Sequence, residues 1–527
     1  MLKTEERREI KIETRFENRL SRRERSLKDL LPEEAFSRIA ETPLVRGNGV
    51  RLLKDAAENY PAWLAAIEAA EKTIHFESYI IHEDAQGHLF ADALIKKAKE
   101  GVRVRVIYDW MGGFGKTSRK YWQRLREGGV EVRCFNSFSF VRPLGWITRD
   151  HRKTLTVDGK ISFVTGLCVG QMWAGEPEKG IEPWRDTGVE LRGRSVAYVD
   201  RAFADVWDDM GSVIPEKQVA DETSLEDAGD VNLRVVATKP GNARVYRLDQ
   251  MVAALSRETL WLTDAYFAGT NAYIETLRSA ASDGVDVRLL LPAATDIPVM
   301  QAISRSGYRS LLESGVRIYE WNGPMLHAKT AVIDGFWSRV GSTNLNIASW
   351  LTNCEIDVII EDKNFGRQMQ EMYLADLGNA TEICLGGNNK ARPVKERKKP
   401  KRTSSATSAR FAPSAITIGS ALGSSISSNK KRPLGMMEAK INLFGGGILL
   451  ITGVIAIFFP SVLAIPLGVI FVWLAVSLFI NSYQLFKQNE QNENSSNETK
   501  PPIEMNQQRL INGDDDAKTS NTTGDLR

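Results

Sequence analysis

From about Arg51 to about Asp362 the chain alternates between two hydrophobic periods. Short β-branched runs such as 102-VRVRVIYD and 285-VDVRLLLP are each preceded by an amphipathic helical stretch and a glycine. That alternation predicts an α/β fold. The pattern also repeats. A first copy runs 73-TIHFESYII, helix, 101-GVRVRVIYD, helix, 128-GGVEVRCF, 151-HRKTLTVDG, and a second runs 259-TLWLTDAYF, helix, 284-GVDVRLLLP, helix, 315-GVRIYEW, 327-HAKTAVIDG. A duplicated unit of this kind predicts two similar α/β lobes, with mixed sheets flanked by helices. Corresponding strand ends should then meet across a pseudo-two-fold axis.

The pattern changes beyond the second copy. From Gly386 to about Pro433 the chain is rich in Lys, Arg, Ser, Thr, Ala and Gly, as in 395-KERKKPKR and 403-TSSATSAR, and too poor in apolar residues to build a core. The stretch 444-FGGGILLITGVIAIFFPSVLAIPLGVIFVWLAVSLFI then carries no charge, and Pro460 and Ser461 divide it into halves of about 17 to 20 residues, enough for two tight spans or a hairpin. Lys430, Lys431, Arg432 and Lys440 precede it, which by the positive-inside tendency puts that side and the α/β body in the cytoplasm. The expected organisation is a charged helical segment over 1–50, lobes over 51–215 and 230–385, a basic disordered linker over 386–440, a membrane hairpin over 441–487 and a polar disordered tail over 488–527.

Composition adds bounds. With 527 residues, 43% hydrophobic and 26% charged, more than one domain is expected, and collagen, pure coiled coil and wholesale disorder are excluded. Lys and Arg number 69 against 66 Asp and Glu, a balance that does not mark a nucleic-acid binder. Cys134, Cys168, Cys354 and Cys384 show no CxxC spacing, which argues against a zinc site or a disulfide scaffold and for a reducing compartment. The first thirty residues are charged throughout and lack an apolar run, so neither a signal peptide nor an N-terminal anchor is expected there.

The candidate chemistry lies in the last landmark of each copy. His151, Lys153, Asp158 and Gly159 recur as His327, Lys329, Asp334 and Gly335, and these are two of only five histidines. In strand-like runs residues two apart share a face, so each His and Lys should point together into one cleft. Two imidazoles and two ammonium groups suit a phosphodiester: cations hold the anionic oxygens while imidazoles attack phosphorus or exchange protons. Each Asp, just before a glycine turn, is expected to orient an imidazole of its own or the other lobe.

These two motifs resemble the duplicated HKD motifs of the phospholipase D superfamily. The stretch 341-GSTNLNIASWLTNCEIDVII resembles its GSxN segment and the acidic position after it, and 163-FVTGLCVG and 183-PWRDTGVELRG resemble the bacterial cardiolipin synthase branch. The resemblance covers about Arg51 to Asp362. It implies a two-lobed α/β fold, no metal or other cofactor, and a two-step phosphatidyl transfer. His151 would form a phosphohistidine and His327 would protonate the leaving alcohol. Among the substrate-site residues it implies that Lys153, Lys329 and Asn344 hold phosphate oxygens with Ser342 nearby, while Glu355 and Asp186 pair with the histidines. The sequence departs from the family pattern at Cys168, the first copy's counterpart of Asn344, and at Ala348, where the pattern has arginine.

The resulting expectation is a membrane phosphatidyltransferase acting on anionic glycerophospholipids, phosphatidylglycerol first, at the cytoplasmic face of the inner membrane, with no nucleic-acid partner. A hydrolytic phospholipase D or nuclease using water as acceptor is the enzymatic alternative, and a silent lipid-binding scaffold is the alternative of another class. The basic linker, lying beside the hairpin, is expected to touch anionic headgroups rather than nucleic acid. His75, His82 and His88 have no partners at motif spacing and are expected to be structural or exposed, and 111-MGGFGKTS lacks the spacing of a phosphate loop.

Overall fold

The computed structural model describes residues 33–137 and 148–385, together with scattered helical positions between 447 and 483. Residues 1–32, the linker over 386–440 and the tail over 488–527 lie outside the described residues, as does most of the hairpin over 441–487. Among the described residues no helix is long and apolar enough to cross a membrane.

The first lobe is built on β1 (Val45–Lys54), β2 (Thr73–Ser78), β3 (Arg103–Asp109), β4 (Glu131–Phe135), the two-residue β5 (Arg149–Asp150), β6 (Lys153–Val157), β7 (Ile161–Thr165) and β8 (Thr187–Arg192). The second is built on β9 (Val231–Thr238), β10 (Thr259–Thr263), β11 (Asp286–Pro292), β12 (Arg317–Trp321), β13 (Thr330–Ile333), β14 (Trp337–Gly341), β15 (Asn353–Glu361) and β16 (Ala380–Ile383). β1 runs across the expected division at residue 51.

The spatial order β1-β8-β7-β6-β2-β3-β4 of the first lobe recurs as β9-β15-β14-β13-β10-β11-β12 in the second. Within each lobe the central strands are parallel (β2 with β3, β10 with β11) and the strand carrying the motif is antiparallel to its neighbours. The lobes are duplicates, as the repeat predicts, yet they do not carry separate sheets. β1 pairs antiparallel with its counterpart β9, and all the described strands form one mixed sheet. That pairing removes two exposed edges that separate lobes would have presented to solvent.

Helices cover both faces, which is why β6 and β13 are buried at every position rather than alternately. One core packs Trp63, Phe76, Phe90 and Phe163 under the first lobe and another packs Leu262, Leu277, Leu289 and Trp350 under the second. A third, including Val164, Val189, Val235 and Ile356, is shared between them. The helical stretch at 33–40 crosses over: Phe36, Ile39 and Ala40 pack on the second lobe's core although they precede the first lobe in sequence.

Candidate functional site

Each histidine lies just ahead of its strand, not within it. β6 begins at Lys153 and β13 at Thr330, because the backbone N–H groups of His151 and His327 are drawn to the opposite lobe. His151 N–H donates to the Cys354 carbonyl at 2.9 Å, and His327 N–H to the Arg185 carbonyl at 2.7 Å. The next residue in each case supplies a carboxylate: His151 Nδ1 meets Glu355 Oε2 at 3.0 Å and His327 Nδ1 meets Asp186 Oδ2 at 2.7 Å. Main chain and side chain of each histidine are thus fixed by the other lobe. With Nδ1 committed to a carboxylate as donor, Nε2 is the nitrogen left to accept or react.

Lys153 and Lys329 each donate to the carbonyl of the histidine two residues before them and lie near a tyrosine ring, Tyr79 at 5.3 Å and Tyr266 at 5.9 Å. The same rings stand against the imidazoles, Tyr79 at 4.9 Å from His151 and Tyr266 at 5.9 Å from His327. Ser342 Oγ donates to Glu355 Oε2 at 2.6 Å, while Asn344 is buried close by with its amide oxygen unpartnered among the described residues. The structure therefore brings together His151, Lys153, His327, Lys329, Asp186, Glu355 and Ser342, with Asn344 two residues beyond Ser342 and its NH2 on Ser349.

The role expected of Asp158 and Asp334 does not hold. Each sits at the far end of its strand, about 20 Å of extended chain from its histidine. Asp158 accepts from the backbone N–H groups of Glu71, Lys72 and Thr73, and Asp334 from those of Arg257, Glu258 and Thr259. Both have positive φ, as does the glycine after each, which is the conformation of a type I′ turn. These aspartates close a hairpin and tie it to the start of the neighbouring strand. Asp158→Ala is accordingly expected to lower stability by about 1–3 kcal/mol while leaving kcat unchanged, measured by denaturant unfolding beside initial rates. A large loss of kcat in folded protein would return the aspartate to the chemistry.

Burial sets the electrostatics. It pushes the His327 imidazole down to about 4, helped by the charge on Lys329 and opposed by Asp186. It lowers His151 as well, against the pull of Glu355. Lys329 is pushed down to about 8, again by burial first, with Asp186 opposing. For Asp186 and Glu355 burial favours the neutral acid, but the adjoining histidines and lysines outweigh it and hold both below the usual carboxylate range. The resting arrangement is two carboxylates each paired with a neutral imidazole.

A pH dependence follows. Unfolded, His327 protonates near its ordinary value of about 6.5; folded, it resists until about 4. The unfolded chain therefore takes up a proton first on acidification, and stability fully present above pH 6.5 is lost as pH falls from there toward 4. The contribution of Asp186 and Glu355 is lost only below the ordinary carboxylate range. Unfolding midpoints between pH 7 and pH 4 should fall less steeply in His327→Gln than in the unaltered chain; equal slopes would show that His327 is not the group responsible.

The family model described as "Cardiolipin synthase, PLD-like domain" matches residues 63–169 and 251–377, one segment in each lobe. Cardiolipin synthase A of Pseudomonas aeruginosa (strain LESB58) is 33% identical over 355 residues, covering 66% of this chain and 71% of that protein. The chain belongs to the cardiolipin synthase family of phospholipase D-like proteins. Cardiolipin synthase of Alkalihalophilus pseudofirmus is 30% identical over 354 residues, covering 66% of this chain and 69% of its own length. The phosphatidylserine synthase of Haemophilus influenzae Rd KW20 shares the fold at 13% identity, with a TM-score of 0.53 over 66% of this chain and 91% of that one. As a cardiolipin synthase-like member of the superfamily the chain is a phosphatidyltransferase enzyme.

Within this cardiolipin synthase-like site the two halves have diverged. Ser342 steadies Glu355, whereas its first-lobe counterpart is Gly166, and a Cβ there would lie 2.2 Å from Asp186 Oδ1. The indole N–H of Trp173 takes over the serine's task, donating to Asp186 Oδ2 at 3.2 Å. Trp173 and Trp184 also flank His327, with ring centroids at 5.6 and 5.8 Å.

Sequence reasoning missed Trp173, Trp184, Tyr79 and Tyr266, none of which carries a spacing signal. It also missed Arg152, a buried residue that donates to the carbonyls of Ala202 in one lobe and of Thr238 and Glu355 in the other. Of the remaining histidines, His75 is a buried structural residue paired with Asp200 at 2.6 Å. Among the described residues no three His, Cys, Asp or Glu side chains cluster as a metal centre would require.

Proposed function

We propose that this enzyme transfers a phosphatidyl group from a glycerophospholipid, phosphatidylglycerol first, to an alcohol acceptor through a phosphohistidine. The observation that carries the reading is the crossed pairing of His151 with Glu355 and His327 with Asp186, which leaves two reactive Nε2 atoms in one cationic site. His151 Nε2 attacks phosphorus and the ester bond to the departing glycerol breaks, with the proton on His327 passing to the leaving oxygen. The acceptor hydroxyl then gives its proton to His327 and attacks phosphorus, breaking the P–N bond. Both imidazoles are thereby restored. Lys153 and Lys329 hold the phosphate oxygens, together with the Asn344 side-chain NH2, which has a second N–H to donate beside its 3.5 Å contact with Ser349 Oγ. The anionic phosphodiester favours protonation of the imidazole that must act as acid, offsetting the effect of burial.

The long uncharged stretch from 444 to 480 supports a membrane location with the lobes on the cytoplasmic face, where lipid substrates lie. The deciding experiment incubates detergent-solubilised protein with labelled phosphatidylglycerol in the presence of chelator and resolves the lipids. Cardiolipin with released glycerol is the expected outcome. Phosphatidic acid alone would make water the acceptor and the enzyme a phospholipase D. An acid-labile label trapped on His151, and absent from His151→Ala, tests the intermediate.

A further inference from the structure

Two exposed apolar segments stand at the same edge of the sheet as the histidines, one from each lobe and from equivalent strands. β3 lies parallel to β2, whose last residue, Ser78, is opposite Lys153, so the chain leaving β3 emerges beside His151. It forms the short turn from Trp110 to Phe114, and Phe114 is 65% exposed. β11 lies parallel to β10, whose last residue, Thr263, is opposite Thr330, so the chain leaving β11 emerges beside His327. It runs through Ile297 and Val299, which are 42% and 62% exposed, into the helix Pro298–Ser306, of which no residue is buried.

Both segments are tied to the site through the tyrosines that flank the histidines. On the first lobe the turn sits directly on Tyr79: a Cβ at Gly112 would lie 1.9 Å from the Tyr79 carbonyl oxygen, so only glycine permits the approach. Asp109, at the end of β3, accepts from the Asp150 N–H at 2.9 Å, one residue before His151. On the second lobe Tyr266 donates through its hydroxyl to Asp296 at 2.7 Å, one residue before Ile297. The pseudo-two-fold thus sets one apolar segment on each side of the histidine pair.

Charge distinguishes what would cover them. From Trp110 to Arg126 there is no acidic residue, and Lys116, Arg119 and Lys120 are exposed without an ion-pair partner among the described residues. Asp296, the one carboxylate from Ala293 to Gly307, is engaged by Tyr266. A surface of exposed aliphatic and aromatic side chains beside free cations is complementary to an interface of acyl chains beneath anionic headgroups.

We infer that segments 110–120 and 293–303 form a two-part docking rim that seats the mouth of the active site on an anionic lipid surface. The inference deepens the function proposed above and rests on it for the lipid nature of the substrate. Phe114 and Val299 enter the acyl boundary, Lys116, Arg119 and Lys120 meet phosphates, and a lipid headgroup need rise only a short way to reach the histidines.

The test reconstitutes the full chain, in a Cys134→Ser, Cys384→Ser background, into vesicles of phosphatidylglycerol and brominated phosphatidylcholine. A small fluorophore is attached at Phe114→Cys, Val299→Cys or Leu255→Cys. Leu255 is 50% exposed but lies ahead of β10, at the opposite edge of the sheet. Since interfacial apolar groups sit about 5–10 Å deep, bromine should quench the labels at 114 and 299 by about half or more and leave the label at 255 unchanged. No quenching at either rim position, or equal quenching at all three, would overturn the inference. So would a spectral shift that appears without lipid and grows with protein concentration, which would put a second copy of the chain on the rim. Loss of lipid transfer with the quenching pattern intact would count against the proposed function alone. Phe114→Ser with Val299→Ser should also lower turnover on vesicles about tenfold, given the apolar area withdrawn from the interface, and leave turnover on monomeric short-chain phosphatidylglycerol unchanged.

Discussion

Alanine at His151 or at His327 is expected to lower turnover by about four orders of magnitude, and the double variant to fall no further than the worse single one. The two imidazoles act in one sequence, attack and proton delivery, so removing either stops the cycle at the same step. The structure adds a reason for equal severity: each histidine is locked through both its main chain and Nδ1 to the opposite lobe, and neither can take the other's place. Initial rates on labelled phosphatidylglycerol, with folding checked by the unfolding midpoint, measure the effect. Multiplicative losses in the double variant would mean that the histidines serve independent steps, and a single variant retaining a tenth of the activity would remove that histidine from the mechanism.

Arg185→Met is expected to cost about 3–5 kcal/mol of stability, the largest loss foreseen for any single position. Arg185 is 3% exposed and holds Asp376 of the second lobe through Nε and Nη2, at 3.0 and 2.8 Å, while Nη1 reaches Asp55 at 3.1 Å and Thr187 Oγ1 at 3.0 Å. Methionine fills the space but leaves the buried Asp376 with only the more exposed Lys54 ammonium, at 3.6 Å, as a counter-charge, and takes the guanidinium away from the half-buried Asp55. The Arg185 carbonyl also receives the His327 N–H, so residual folded protein should be impaired in catalysis as well. Replacing Asp376 by Leu in the same chain should recover part of the stability, because the deficit arises largely from an unpaired charge and not from lost packing. Denaturant midpoints of the three proteins decide it. A loss under about 1 kcal/mol in Arg185→Met would show that solvent reaches the cluster and that it does not bind the lobes together.

The duplicated fold and the His–Lys pairs were legible because both depend on local spacing. A strand of period two and a histidine two residues before a lysine are visible within nine residues, and their recurrence at 151 and 327 supplied the duplication. Glu355 and Asp186 were reachable only through family resemblance, since each acts on a histidine more than a hundred residues away. The aspartates of the motif were misjudged for an instructive reason. Asp followed by Gly is also the signal of a tight hairpin, and positive φ at Asp158 and Asp334 shows that this reading prevails. The join between β1 and β9 was hidden because VRGNGVRLLK has weak alternation and its partner lies far along the chain. Arg152, Arg185 and Trp173 gave no signal, since a lone arginine or tryptophan announces no partner until the fold supplies one.

The exchange of carboxylates between lobes has a consequence for the chain as a unit. The segment between Asp209 and Val231, which carries the backbone from one lobe to the other, holds only two short 3-10 turns, Glu216–Gln218 and Glu222–Ser224. Severed there, the protein would yield a half bearing His151 and Asp186 and a half bearing His327 and Glu355, each with an imidazole and a carboxylate that belong to different partnerships. Neither half would be a weak enzyme; each would be none. Competence would return on the encounter of the two halves, at a rate second order in protein, because each repeat supplies the carboxylate that completes the other's histidine.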